Sequence, residues 1–203
     1  MINRLRIDCK HVITFNMDEY ADEDGQTAPA EWEGSFATAM WENLFGRIDE
    51  ELRPKEENMH FPDSDNVDDY SDMIAEVGGA DCCYGGIGWC GHIAFWESSL
   101  GDNYDSLEDW KQAKAQIVEL TPLTIIQNCL HSFGGDWSWV PPKAATIAPA
   151  DILGAKHRSF WLDGMCGPAT NMSWQRFIAR LCAHGKVNRW VPGTILQTVR
   201  TDY

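Results

Sequence analysis

Four side chains that could ligate a metal lie within eleven residues of the chain, namely Cys82, Cys83, Cys90 and His92. Thiolates and imidazoles are ligands that zinc prefers. On a strand, Cys90 and His92 would share a face, and Cys82 or Cys83 could complete a site across a hairpin. The spacing departs from the usual Cys-x2-4-Cys pairs. The sequence therefore favours buried free thiols and no cofactor, with a zinc-stabilised structural module as the alternative.

A further cysteine has the surroundings of a nucleophile. Cys166 lies in a short glycine- and proline-containing segment, residues 164–168, directly before an expected helix. A helix N-terminus lowers the pKa of a nearby thiol and favours the reactive thiolate. Catalysis also needs a base, for which His184 and His157 are the candidates. This pattern predicts a small cysteine-dependent enzyme as an alternative function.

Two acidic segments suggest chemistry of a different kind. Residues 18–24 place five carboxylates in seven positions, about one charge per 4.6 Å of extended chain, and DNA carries a phosphate every ~3.4 Å along one strand. An EF-hand fails, because the fifth, sixth and twelfth positions counted from Asp63 are Val67, Asp68 and Ile74. The residues expected to bind a partner are therefore Asp18, Glu19, Asp22, Glu23, Asp24, Asp63, Asp65, Asp68, Asp69 and Asp72.

The charge of the whole chain supports that interpretation. Residues 1–110 carry 26 Asp and Glu against six Lys and Arg, and residues 111–203 carry five against ten. Such an acidic half repels nucleic acid and anionic membranes and attracts basic proteins. We therefore expect an interaction protein that docks on a basic, nucleic-acid-handling protein and inhibits it as a nucleic-acid mimic, with an enzyme less favoured. A solvated acidic surface that maintains solubility, or a homo-oligomer that pairs the two halves, is also compatible with this split.

Two other motifs have simpler explanations. Residues 86–91 spell GxGxxG, but the apolar run that follows is not a dinucleotide-binding helix, and Trp89 would crowd a pyrophosphate. Trp137 and Trp139 could stack a base or a sugar ring, although such pairs more often cover an edge of the core. Neither motif assigns a function.

Hydrophobic periodicity predicts the elements that would position these residues. Apolar side chains recur every four residues over 36–52 and indicate a helix there. A capping box at Ser106 and Asp109 starts another helix, expected to continue through Ile117 and Val118, and further helices are expected at 122–133 and after Pro168. Strands are expected at 5–15, at 194–199 and, as one arm of a glycine-rich hairpin, at 92–96. Residues 54–72 read as an acidic loop.

Composition sets the fold class. The chain has 203 residues, 44% of them hydrophobic, and ten tryptophans, enough for one sizeable core. We expect one α+β domain over residues 1–203, with about four helices packed on a small, mainly antiparallel sheet and a subdomain border near residue 110. Seven scattered cysteines and the absence of a long apolar run predict reduced thiols and a soluble, cytoplasmic protein.

Overall fold

The structure, a computed structural model, describes residues 1–162 and 173–203. Its strands are short and form three small sheets: β1 (Thr14–Phe15), β2 (Asp18–Ala21), β3 (Met59–His60), β4 (Cys82–Gly86), β5 (Gln116–Glu119), β6 (Lys143–Thr146) and β7 (His157–Trp161). Strand β6 lies between β2 and β5, antiparallel to both. β1 pairs with β3 and β4 with β7, both parallel.

The parallel pairs contradict the expected α+β fold with a mainly antiparallel sheet. A parallel pair needs a crossover connection, which usually contains a helix. The β4–β7 connection contains three helices, α4 (Leu107–Lys111), α5 (Pro122–Ser132) and α6 (Pro149–Gly154). The chain therefore alternates strands with helices, as in α/β proteins. The direction of pairing was missed because an apolar run indicates a buried strand but not its neighbour.

The remaining helices are α1 (Ile2–Leu5), α2 (Phe36–Asn43), α3 (Val67–Glu76) and α7 (Ser173–His184). α2 is shorter than the helix expected over 36–52, because the backbone leaves helical geometry at Leu44 and continues as a 3₁₀ turn at Phe45–Arg47. Gly46 approaches the Trp41 carbonyl so closely that a Cβ atom would lie 2.7 Å from its oxygen. None of the helices in the two described ranges has both the length and the apolar character needed to cross a membrane.

Other predictions of helices and strands are confirmed only in part. The helix start at Ser106 is confirmed, since the Ser106 hydroxyl accepts from the Asp109 amide at 3.1 Å, but the Asp109 carboxylate accepts from the Ser106 hydroxyl instead of its amide. The helix also ends at Lys111, and 116–119 is strand β5. α5 is confirmed as a helix. The acidic stretch 54–72 includes the start of α3 rather than only loop. The strand expected at 194–199 is a 3₁₀ helix at Pro192–Thr198, and the one expected at 5–15 is reduced to β1.

The core explains part of the tryptophan content. Trp96 and Trp110 are fully buried and meet edge to face, with ring centroids 6.4 Å apart. Tyr20, on β2, packs its ring against Phe36 of α2 and Phe95, at 4.9 and 5.6 Å. The segment that contains Phe95 and Trp96 is thereby fixed against the β2–β6–β5 sheet.

Candidate active site

A turn-rich segment, residues 86–97, carries the side chains that could do chemistry. The strand expected at 92–96 is wrong: Gly91 and Ala94 have φ values of 82° and 50°, in the left-handed region, and break extended geometry. The Gly88 amide donates to the His92 carbonyl at 2.9 Å. A Cβ atom at Gly88 would lie 2.0 Å from His92 Nε2. Glycine is therefore required at position 88 so that the imidazole can lie over the backbone.

The segment brings Cys90, His92 and Glu97 together. Cys90 Sγ lies 3.1 Å from His92 Nδ1 and 3.3 Å from Glu97 Oε2. Thr124, on α5, places its hydroxyl oxygen 3.0 Å from the same Nδ1 atom. His92, Glu97 and Thr124 are buried, whereas Cys90 is partly exposed. The cluster therefore has one side open to solvent.

The start of α5 holds the Glu97 carboxylate. Thr121, the residue before the helix, donates to Glu97 from its amide at 3.2 Å and from its hydroxyl at 3.1 Å. The partial positive charge of a helix N-terminus favours an anion at this place. Pro122 at the first helical position fixes the backbone there. Helix α5 thus orients both Glu97 and, through Thr124, the His92 ring.

Burial determines the protonation of this cluster. It raises the pKa of the Cys90 thiol to about 12, an effect to which the charge of Glu97 adds. It also lowers the pKa of His92, although the charge of Glu97 acts in the opposite direction. Near pH 7 the cluster therefore contains a neutral thiol and a neutral imidazole. The imidazole can accept a proton and then return it.

Asp18 lies on β2, on the sheet face that meets this segment. Its partner on β6 is Thr146, whose hydroxyl accepts from the Phe95 amide at 3.0 Å. Directly paired residues of antiparallel strands, and residues two apart on one strand, share a face. Tyr20, two residues along β2, contacts Phe95 from that face. Asp18 therefore faces the segment that carries His92.

The surroundings of Asp18 make it a candidate acid or base. Burial raises its pKa to about 7, and the neighbouring Glu19 carboxylate adds to the effect. A carboxyl group that titrates near neutral pH can both accept and donate a proton under physiological conditions. The cluster of Cys90, His92, Glu97 and Thr124, with Asp18 on the sheet face that meets its segment, is the candidate active site.

The Thr146 hydroxyl is expected to hold the site segment against the sheet. It accepts from the Phe95 amide and donates to the Ile147 carbonyl at 3.0 Å, and it is completely buried. Thr146→Val keeps the shape and leaves the amide unpaired, so we expect a loss of about 1–3 kcal/mol in the free energy of unfolding. Urea denaturation measures this loss, and the control is Thr198→Val, which removes, from an exposed residue, a hydroxyl that donates to the Ile195 carbonyl at 2.7 Å. Equal stability of the two variants would contradict this role.

The structure brings together only some of the residues singled out from the sequence. Cys90 and His92 meet, but through a turn rather than on a strand. Cys82 and Cys83 lie on β4, which pairs with β7 and not with 92–96, so they lie outside the cluster of Cys90, His92 and Glu97 found among the described residues. Cys166 lies outside the described residues. His157 starts β7 and His184 ends α7, and both are exposed.

The acidic residues are not one continuous surface. Glu19 is buried, and Asp18 is partly buried. Asp63 accepts from the backbone amides of Asp65 and Asn66 and shapes the turn before α3. Asp72 forms an ion pair with Lys114. The exposed members are Asp22, Glu23, Asp24, Asp65, Asp68, Asp69 and Asp72.

Two residues of the site, and one that holds it in place, were missed in the sequence. Glu97, Thr121 and Thr124 come together only because α5 begins beside the site segment. The apolar pair Phe95 and Trp96 before Glu97 indicated burial, and a carboxylate at the end of a buried run is a signal that a polar partner must be near. The partner itself could not be read from spacing.

Comparison with known proteins gives glucosamine-6-phosphate deaminases among the sequence relatives. No family model matches the chain. It is 36% identical over 159 residues to a glucosamine-6-phosphate deaminase of Phocaeicola vulgatus, an alignment that covers 74% of this chain and 52% of the relative. It is 31% identical over 204 residues to the enzyme of the same name from Mannheimia succiniciproducens, covering 96% and 65%. The chain thus spans about half to two thirds of the length of these curated relatives.

The solved structures agree on the fold. A monomeric glucosamine-6-phosphate deaminase of the NagB superfamily superposes with a TM-score of 0.78 at 19% identity, covering 99% of this chain and 74% of that one. A 6-phosphogluconolactonase from Shewanella baltica gives a TM-score of 0.58 at 17% identity, with 99% and 76% covered. The chain therefore has the α/β fold of these two structures.

These findings overturn the expected function. Acidic segments suggested an inhibitor that mimics nucleic acid and docks on a basic, nucleic-acid-handling partner, whereas the relatives are enzymes named for a small sugar phosphate. The error was to treat carboxylates as one surface. Glu19 is buried and accepts from the Ala37 amide, and burial raises the pKa of Asp18.

Proposed function

We propose that this chain is a sugar-phosphate enzyme of the deaminase type, which releases ammonia from an amino sugar phosphate such as glucosamine 6-phosphate. The proposal depends on the environment of Asp18. Its carboxyl group is largely buried, its pKa is raised to about 7, and it lies on the sheet face that meets the His92 segment. Similarity to the curated deaminases supports the choice of substrate.

The reaction sets the demands on the site. An amino group on carbon 2 of an open-chain aldose can leave without a redox cofactor if a proton moves from carbon 2 to carbon 1. The carbon 2 amine then becomes an imine, and addition of water releases ammonia and leaves a ketose phosphate. Atoms and charge balance with water as the only co-reactant. The chemistry thus needs one group that removes and returns protons close to neutral pH.

Asp18 meets that demand. As a carboxylate it can take the proton from carbon 2, and as a carboxylic acid it can return it to carbon 1. A pKa of about 7 keeps both forms populated at neutral pH, which is where general acid and base catalysis is most effective. The raised pKa also makes its carboxylate a stronger base than an exposed aspartate.

His92 suits the step that precedes proton transfer at carbon. A ring-closed sugar must open, and opening moves a proton from the hydroxyl on carbon 1 to the ring oxygen. A neutral imidazole can accept one proton and donate another. Cys90 and Thr124 fix the ring through Nδ1, and Glu97, 3.9 Å from that atom, can stabilise an imidazolium while it exists. We assign Glu97 and Thr124 to positioning.

The cellular location belongs to the same proposal. The Cys90 thiol must stay reduced to make its contacts with His92 and Glu97. Reduced thiols persist in the cytosol, where sugar phosphates are also used. We therefore propose a cytoplasmic location for this enzyme.

The direct test is ammonia release by the purified chain. We expect ammonia to form from glucosamine 6-phosphate, measured by coupling to glutamate dehydrogenase, with a ketose phosphate formed in equal amount. Glucosamine without the phosphate and glucose 6-phosphate without the amine serve as matched controls and should give no signal. The proposal is overturned if no ammonia forms from glucosamine 6-phosphate at any pH from 6 to 9 while circular dichroism shows that the chain is folded.

A further inference from the structure

The cluster of Cys90, His92 and Glu97 has the composition of a metal site. Each residue offers one ligand atom, and the three atoms lie within 4.8 Å of one another. We propose that this cluster binds one divalent cation of the zinc class. The proposal goes beyond the deaminase function, because binding needs no substrate and would occur whichever reaction the chain catalyses.

The distances suit a tetrahedral ion. Bond lengths of about 2.3 Å to sulfur and about 2.0–2.2 Å to nitrogen and oxygen place tetrahedral ligands roughly 3.4–3.6 Å apart. The observed separations are 3.1 Å from Sγ to Nδ1, 3.3 Å from Sγ to Oε2 and 3.9 Å from Nδ1 to Oε2. Shifts of about half an ångström would bring all three atoms to the bonding distances of zinc.

The donor set selects the kind of ion. Thiolate and imidazole favour zinc or cobalt, whereas magnesium and calcium prefer oxygen ligands alone. Binding replaces the proton of the Cys90 thiol, which leaves as H⁺ while a metal–sulfur bond forms. Two charges on the ion then balance one thiolate and one carboxylate, so the buried site becomes neutral. The high cost of burying an unpaired charge favours this balance.

The surroundings support binding in two ways. The Glu97 carboxylate is fully buried, and among the described residues the basic side chain beside it is the neutral His92, with no lysine or arginine in ion-pair contact. Thr121 already orients Glu97 through two hydrogen bonds, as residues behind metal ligands commonly do. Cys90 is partly exposed, which leaves a path for the ion and room for a water as the fourth ligand.

A bound ion would also affect the proposed reaction. It would occupy Nδ1 of His92 and hold the imidazole as a ligand, so the ring could no longer exchange protons freely. Zinc is therefore expected to inhibit ammonia release. The binding experiment below does not use that readout, so failure of the metal site and failure of the deaminase proposal can be told apart.

Cobalt(II) titration of the reduced, chelator-treated full chain tests the site. We expect one cobalt per chain, with a thiolate-to-cobalt charge-transfer band in the near ultraviolet and visible bands of tetrahedral intensity, both lost when zinc is added. Cys90→Ser should abolish the charge-transfer band and weaken zinc binding at least ~100-fold, more than the loss of a group behind a ligand typically costs. Cys82→Ser, which removes an exposed thiol on β4, is the matched control and should bind as the parent does.

Two results would overturn the proposal. One is the absence of a stoichiometric charge-transfer band in the parent chain. The other is a band of equal strength in Cys90→Ser, which would place the thiolate ligand elsewhere. Circular dichroism of Cys90→Ser shows whether the variant is folded, and Glu97→Gln, which keeps the shape and removes the charge, gives an independent variant that should also bind zinc more weakly.

Discussion

Replacing Asp18 with Asn is expected to lower the rate of ammonia release by about 10²- to 10⁴-fold, the usual contribution of a general acid or base. The amide has the shape of the carboxyl group but cannot take a proton from carbon. In the parent chain the rate should rise with pH through about 7, because Asp18 works as a base only when ionised and its pKa is raised to about 7. Steady-state kinetics between pH 5 and 9 measure both effects.

The matched control is Asp22→Asn, at an exposed carboxylate just beyond β2. It should leave the rate and its pH midpoint unchanged within about twofold, since a screened surface charge contributes little. If Asp18→Asn keeps more than a tenth of the parent rate, Asp18 does not transfer the proton. The variant must also be folded at the pH of the assay, which its stability can show.

Asp18→Asn should in fact be more stable than the parent at alkaline pH. The pKa of Asp18 is higher in the folded chain than its ordinary value of 3.8, so the folded state holds a proton that the unfolded state releases. The protonated Asp18 therefore contributes to the free energy of unfolding below about pH 4, and this contribution is lost as pH rises to about 7. Asparagine has no such loss, and we expect the variant to gain on the order of 1–4 kcal/mol at pH 8. Lost activity with higher stability would separate catalysis from folding.

Local signals in the sequence predicted local structure well. The proline at position 122 and the serine at position 106 each start a helix where expected, and the helix expected after Pro168 is found as α7. Caps and apolar periodicity depend on neighbours within a few residues. The same signals gave wrong ends, as at α2, where the close approach of Gly46 to Trp41 is a contact that periodicity does not record.

The candidate site was only partly predictable. Cys90 and His92 were grouped because they are close in sequence, and they do meet. Cys82 and Cys83 were grouped with them on the assumption of a hairpin, but β4 pairs instead with β7, which begins more than 70 residues later, at His157. A parallel pair over that separation leaves no local trace. Glu97 and Thr124 depend on the same long-range arrangement, so neither could be joined to His92 from the sequence.

Charge counting failed for a related reason. It assigned the same role to every carboxylate of residues 18–24, although alternate side chains of a strand face opposite ways. Asp18 faces the site segment, Glu19 faces the start of α2, and Asp22 to Asp24 lie in an exposed turn. The five carboxylates of residues 18–24 thus include a candidate base, a carboxylate that caps the start of α2 and three side chains of a solvated turn. Only their contacts distinguish them.

Glu19→Ala is expected to be the most damaging substitution for stability. The Glu19 carboxylate is 4% exposed and accepts from the Ser35 hydroxyl at 2.8 Å and from the amides of Phe36 and Ala37, at the first turn of α2, at 3.1 and 3.0 Å. It also accepts from the Tyr20 amide. Alanine leaves these donors without a partner in a buried place, so we expect a loss of about 3–5 kcal/mol in the free energy of unfolding.

Glu23→Ala, at an exposed carboxylate of the adjacent turn, should change stability by less than about 0.5 kcal/mol. Denaturation with urea compares the two, and equal losses would refute the role of Glu19 as a cap. Glu19→Gln adds a functional readout, because the charge of Glu19 helps to raise the pKa of Asp18. Removing that charge should lower the pKa of Asp18 and move the midpoint of the pH–rate profile to lower pH. A single buried carboxylate would then be shown to stabilise α2 and to tune the proposed base beside it.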